Sequence, residues 1–85
     1  MISETCIGTV THYFGKIDIA VLSLTDPIQI GDKIRIRGDD TEFEQEVTSL
    51  QIDHEAVDTG QAGTEVAIQV TQSVRRGDQI YKLLA

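Results

Sequence analysis

The stretch Ile28–Val47, IQIGDKIRIRGDDTEFEQEV, decides the fold of this chain. Lys33-Ile-Arg-Ile-Arg37 alternates charged and aliphatic residues, and Glu42-Phe-Glu-Gln-Glu46 is likewise polar on every second residue. A period of two places Ile34 and Ile36 on one side and the charges on the other, the pattern of a half-buried strand. With Asp39-Asp40 as the turn, Arg37 faces Glu42, Arg35 faces Glu44, Lys33 faces Glu46, and Ile36 faces Phe43. A slip of one residue would destroy all of these pairings together, so the register is strongly specified. Each exposed ion pair is worth only about 0.2–1 kcal/mol, so the charges select register more than they stabilise it.

The flanking sequence reads in the same way. CIGTVTHYF and KIDIAVLSL form a hairpin about Gly15-Lys16, which sets Phe14 against Ile17, His12 against Ile19 and Val10 against Val21. Asp26-Pro27 ends that ladder, since proline lacks an N–H. EVTSLQID continues the extended run, and HEAVDTGQAG is a long connection with room for a helical turn. TEVAIQV alternates Val66, Ile68 and Val70 against Glu65, Ala67 and Gln69, TQSVRRGD is a loop, and QIYKL is a closing strand. No segment carries a helical apolar period over ten or more residues. The expectation is one domain spanning residues 1–85, an all-β, small closed six-stranded antiparallel β-barrel, because closure removes sheet edges economically.

Composition bounds the function. The 85 residues carry 14 Asp and Glu against 7 Lys and Arg, a formal charge of −7. Phosphate backbones are held by Lys and Arg, so this balance disfavours direct RNA or tRNA binding by the chain alone. It also disfavours anionic membranes. There is no Trp, and only two Tyr and two Phe, so branched aliphatics fill the core. No charged leader precedes an apolar run and no stretch is long enough to span a bilayer, which predicts a cytoplasmic protein. Cys6 is the single cysteine and reads as a small buried hydrophobe in a strand, with no activating base beside it.

Gly-Asp occurs twice, in GDKIRI and GDQIYK, each time ahead of a strand. Glycine tolerates positive φ and aspartate hydrogen-bonds nearby backbone, so both pairs read as turns rather than sites. The Arg76-Gly77-Asp78 tripeptide follows from the second turn and is not an adhesion motif here.

The combination of Gly8 with Val10, Gly31-Asp32, Val47-Thr48-Ser49-Leu50, Ala62-Gly63 with Val66, and Gly77-Asp78 with Ile80 resembles the second, β-barrel domain of elongation-factor-type translational GTPases, over about residues 5 to 83. A similar barrel is the C-terminal module of some collagenase-like peptidases that act around RNA modification. No Gly-x-x-x-x-Gly-Lys-Ser/Thr is present, so the chain has no phosphate-cradling loop of its own. In elongation factors the barrel contacts the aminoacylated end of tRNA; the resemblance places Gln51, His54 and Glu65 at the corresponding positions.

Other candidates come from the residues themselves. His12, beside Tyr13 and Phe14, is either a hydrogen-bonded core histidine or part of a binding patch, and the core reading is preferred. Asp53, His54 and Glu55 alternate on a strand and make poor metal ligands. Glu42, Glu44 and Glu46 are paired with bases rather than tuned for acid–base work. Arg75 and Arg76 are the adjacent bases suited to an interface. The chain is therefore expected to be no enzyme, with no catalytic residue, no metal and no cofactor. Its binding residues are His12, Tyr13, Gln51, His54, Glu65, Arg75 and Arg76. The leading expectation is an elongation-factor-like module docking on a translation- or tRNA-related protein or ribonucleoprotein. The alternative is an accessory barrel subunit of a collagenase-like peptidase or RNA-modifying enzyme, and a third reading binds an acceptor end or small ligand near Gln51, His54 and Glu65.

Overall fold

A computed structural model describes residues 3–84. The strands are β1 (Ser3–Phe14), β2 (Ile19–Leu24), β3 (Ile28–Gln29), β4 (Lys33–Arg37), β5 (Glu42–Glu46), β6 (Gln51–Ile52), β7 (Glu55–Ala56), β8 (Thr59–Gly60), β9 (Glu65–Gln69) and β10 (Gln79–Leu84). The β4–β5 register is the one the charges select: Arg37 pairs with Glu42, Arg35 with Glu44, Lys33 with Glu46, and Ile36 with Phe43. Gly38 N–H donates to Thr41 O at 2.7 Å, leaving Asp39-Asp40 at the tip.

The all-β class holds, but the closed six-stranded barrel does not. Eight strands form one antiparallel sheet in the order β5-β4-β10-β1-β2-β9-β6-β7, and β3 and β8 form a separate two-stranded ladder. β5 and β7 end the large sheet, so its backbone ladder is open. A side chain bridges part of the gap. Gln45 on β5 donates to Gln69 O at 2.8 Å and accepts from Thr71 N–H at 2.9 Å. Two of the surplus strands, β7 and β8, come from HEAVDTGQAG, expected as a connection. Asp53 and His54 take φ of 51° and 67°, and the chain folds back there as the β6–β7 hairpin. Two successive positive φ values are those of a two-residue type I′ turn, whose twist suits a hairpin.

The two Gly-Asp turns have the same construction. Asp32 N–H donates to Gln29 O at 3.2 Å and Asp78 N–H to Arg75 O at 3.0 Å. In return each Asp Oδ2 accepts the N–H of that same residue, at 3.0 and 2.9 Å. Gly31 and Gly77 both have φ of 96°, the third-position requirement of a type II turn. Each turn also grips a valine. Gly31 N–H donates to Val47 O at 2.9 Å and Val47 N–H to Asp32 O at 2.8 Å; Gly77, Asp78 and Val10 repeat this at 2.8 and 2.8 Å. Buried Ile28 and Val74 precede the turns, and buried Ile34 and Ile80 follow them, at equal offsets. Gly-Asp is thus a twice-used clasp that starts two adjacent strands, β4 and β10.

The core is aliphatic, with Ile7, Leu22, Ile34, Ile36, Ile68 and Ile80 at no more than 1% exposure. Full burial of such a side chain contributes roughly 1.5–3 kcal/mol. Two bulges in β1 change which residues join it. The register shifts between Cys6 and Gly8, so Ile7 and Gly8 are both inward and Cys6 is exposed, not the buried hydrophobe expected. It shifts again between Val10 and His12, which leaves Val10 buried and turns His12 out to solvent. The β1–β2 connection also differs. Gly15–Asp18 is a four-residue loop, with Asp18 at φ 55° and Ile17 N–H donating to Phe14 O at 3.2 Å, so Phe14 pairs with Ile19 instead of Ile17.

Candidate binding face

The outward sides of β1, β2, β9, β6 and β7 line up because antiparallel partners share a face. His12 pairs with Val21, Val21 with Ala67, Ala67 with Gln51, and Gln51 with Ala56, a single row across five strands. A second row runs Phe14, Ile19 and Gln69, and a third carries Ser23 and Glu65. Ile19, Val21 and Ala67 are half-buried, while Phe14 is 51% exposed and Ile17, in the adjoining loop, is 61% exposed. The His12 ring stacks on Phe14 with centroids 6.4 Å apart. Thr11, the extra residue of the second bulge, donates from Oγ1 to Val21 O at 3.1 Å and to Glu65 Oε2 at 3.4 Å.

Three of the candidate residues, His12, Gln51 and Glu65, therefore meet on one face. His54 occupies the β6–β7 turn at its end, where it is exposed and no longer part of a strand. Tyr13 points the other way. It packs against the core, and its hydroxyl donates to Asp18 Oδ1 at 3.2 Å. Arg75 and Arg76 lie apart, in an open cleft of about 620 Å³ between the β4–β5 tip and the second Gly-Asp turn. Arg75 Nη1 is 3.3 Å from Asp40 Oδ2, and both side chains are largely exposed.

Charge is segregated across the molecule. From Gly38 to Val74 the chain has nine Asp and Glu and no Lys or Arg. On the β4–β10 side the charges neutralise one another. Glu4 contacts Arg35 at 3.1 Å and Arg37 at 3.4 Å, Arg35 contacts Glu44 at 2.5 Å, and Lys82 contacts Asp32 at 3.3 Å. The Glu44 hydrogen bond holds the Arg35 guanidinium pKa above its ordinary value, against a smaller lowering from desolvation. Arg37 also lies 5.3 Å over the Tyr81 ring. Asp53, Glu55, Asp58 and Glu65 form no ion pair among the described residues. Among those residues no group of three or more His, Cys, Asp or Glu is placed to hold a metal ion. Among the described residues, the Cys6 thiol's hydrogen-bond partner is Gly8 O, at 3.8 Å.

Sequence reasoning set His12 beside Phe14, named Gln51 and Glu65 apart from them, and missed Ile17, Ile19 and Val21 as their surroundings. The alternation of those residues was visible, but the side that faces solvent depends on the Thr11 bulge.

No protein-family model matches the chain. Over 78 residues, 91% of the chain, it is 36% identical to the uncharacterized protease MJ0090 of Methanocaldococcus jannaschii. It spans only 19% of that relative's length. Two crystal structures of the C-terminal domain of a Geobacillus thermoleovorans protein classed with the U32 peptidases share the fold, both at a TM-score of 0.85. Sequence identities are 16% and 18%, the match covers 89% of this chain in both, and it covers 96% and 89% of those chains. These likenesses overturn the elongation-factor reading. The Gly-Asp, Ala-Gly and Gly-x-Val positions that suggested it are turn and close-packing positions, which specify small β modules without distinguishing their families. Over nearly all its length the chain is similar to one segment of a longer protease, not to a translation elongation factor domain.

Proposed function

We propose that this chain is a non-catalytic accessory β module of a collagenase-like, U32-type peptidase, docking on the enzyme's body in the cytoplasm. The observation that carries this reading is the 36% identity over 91% of the chain to a protease of which it spans 19%. A segment of that size is one module of a larger protein, with room for a catalytic body elsewhere. The carboxylates support a structural role, since Glu42 and Glu44 are engaged by Arg37 and Arg35. An acid or nucleophile for peptide hydrolysis needs a positioned partner, and Cys6 is hydrogen-bonded only to a backbone carbonyl.

The test mixes the purified chain with each full-length U32-type peptidase encoded in the same genome and measures mass by light scattering, then peptide turnover. The expected result is a stoichiometric complex, altered turnover by the peptidase, and no turnover by the chain alone. Peptide hydrolysis by the chain alone would sink the non-catalytic role. Failure of every peptidase to bind at about 100 μM, an affinity weaker than roughly −5.5 kcal/mol, would sink the accessory role.

A further inference from the structure

We propose that the outward face of β1, β2, β9 and β6 is the surface through which the module seats on its protein partner, and that the partner meets it with an apolar centre rimmed by Lys and Arg. The inference rests on the accessory-module reading and names the interface that reading needs.

Three observations converge on this face. The first is apolar content where solvent should favour polar residues. Phe14 and Ile17 are more than half exposed, and Ile19, Val21 and Ala67 continue from them across neighbouring strands. Single exposed aliphatics are ordinary, whereas a contiguous stripe marks a contact surface. Ile30, the other large exposed hydrophobe among the described residues, stands off the face in the first Gly-Asp turn.

The second observation is charge. Asp53 at the β6–β7 turn and Glu65 on β9 border the stripe, and neither has an ion-pair partner among the described residues. Arg35 and Arg37 on β4, by contrast, are matched by Glu44 and Glu42 on β5. An apolar centre with an unneutralised acidic rim is complementary to an apolar centre with a basic rim, which aligns the partners and raises the association rate. Lys16, at the tip of the β1–β2 loop, is the cation adjoining the apolar end.

The third is exclusion of other occupants. A nucleic acid would bring phosphates against the acidic rim, where no Lys or Arg from Gly38 to Val74 replaces counterions. A second copy of the chain would pair the same patch with itself about a two-fold axis and so set the acidic rims against each other. A basic-rimmed protein surface satisfies both the stripe and the rim.

The experiment compares binding of each full-length U32-type peptidase to the native chain, to Phe14→Ser/Ile17→Ser, to Glu65→Lys, and to Ile30→Ser, by calorimetry at two salt concentrations. Far-UV circular dichroism confirms that each variant folds; all four positions are solvent-exposed. The apolar pair should weaken binding by about 100-fold, as expected for anchors at an interface centre. Charge reversal should weaken it by about 10-fold at low salt and less at high salt. Ile30→Ser should bind within about twofold of the native chain. If a peptidase binds and both face variants match the native chain, this inference fails and the accessory role stands. If Ile30→Ser loses as much as the face variants, the face is not the interface. If no peptidase binds the native chain, both proposals fall. Binding of RNA that is lost in either face variant would overturn the protein partner in favour of nucleic acid.

Discussion

Gly38 and Asp78 meet where the β4–β5 tip touches the second Gly-Asp turn, and this contact makes a sharp prediction. A methyl group on Gly38 would overlap Asp78 Oδ1 and stand 2.6 Å from its Cγ. Asp78 cannot easily move aside, because it is 5% exposed and its Oδ2 accepts the Arg75 N–H at 2.9 Å. Gly38→Ala must therefore expel the carboxylate. That forfeits a charge-assisted hydrogen bond of about 2 kcal/mol and adds strain of about 1 kcal/mol. Asp78→Ala loses the same bond and costs about 2 kcal/mol. In the double variant the overlap has gone and the bond is already absent. Alanine at position 38 then costs nothing, or returns about 0.5 kcal/mol by restricting the unfolded chain. The sum of the single changes is about 5 kcal/mol, yet the double change should cost only about 2 kcal/mol, a coupling of about 3 kcal/mol. Urea unfolding followed by far-UV circular dichroism measures all four corners. A double variant within about 0.5 kcal/mol of additivity refutes the reasoning, since it would mean that the two positions do not compete for one space.

The remaining predictions concern other parts of the sheet. Gly31→Ala and Gly77→Ala meet no atom within 4 Å, so each should cost only the positive-φ strain, about 1–2 kcal/mol, and by equal amounts in urea unfolding. A clear inequality would show that the two clasps are not equivalent. Gln45→Ala removes the side chain that links β5 to Gln69 and Thr71, at a cost of about 1–2 kcal/mol; the Thr71 amide should then exchange faster with deuterium while the Ile36 amide keeps its protection. Glu4→Gln removes the carboxylate shared by Arg35 and Arg37 and should cost under about 1 kcal/mol at low salt, with the difference vanishing near 1 M salt.

The β4–β5 hairpin was legible because its charge pairs and its apolar pair demand one register and no other. The Gly-Asp turns were legible because positive φ and a carboxylate acceptor have few residue solutions. What escaped the sequence was non-local or compositionally silent. Bulges at Ile7 and Thr11 insert a residue without any distinctive residue type, yet they decide that Cys6 and His12 face outward. The β6–β7 turn uses Asp53-His54, whereas the usual signal for two positive φ values ends in glycine. The expected barrel closure failed because counting strands does not reveal how the last ladder ends; here a glutamine side chain links β5 to the end of β9 where paired backbone was anticipated. The candidate face depends on β2 pairing with β9 and β9 with β6, contacts that no single segment encodes.

The sheet order also governs how this protein can be made. β10 lies between β4 and β1, so the strand synthesised last among the ten sits in the middle of the sheet. While the ribosome still holds residues 79–84, the β4–β5 hairpin has no neighbour on its β4 side, and β1 has none on the edge that β10 will fill. Ile36 and Ile34 then present half-formed apolar surface beside unpaired backbone, the state most open to misassociation. A chain broken before Gln79 would lose the strand that joins β4 to β1, leaving side-chain links such as Gln45 to Gln69 and Thr71 to tie the β4–β5 hairpin to the β1–β2–β9 side.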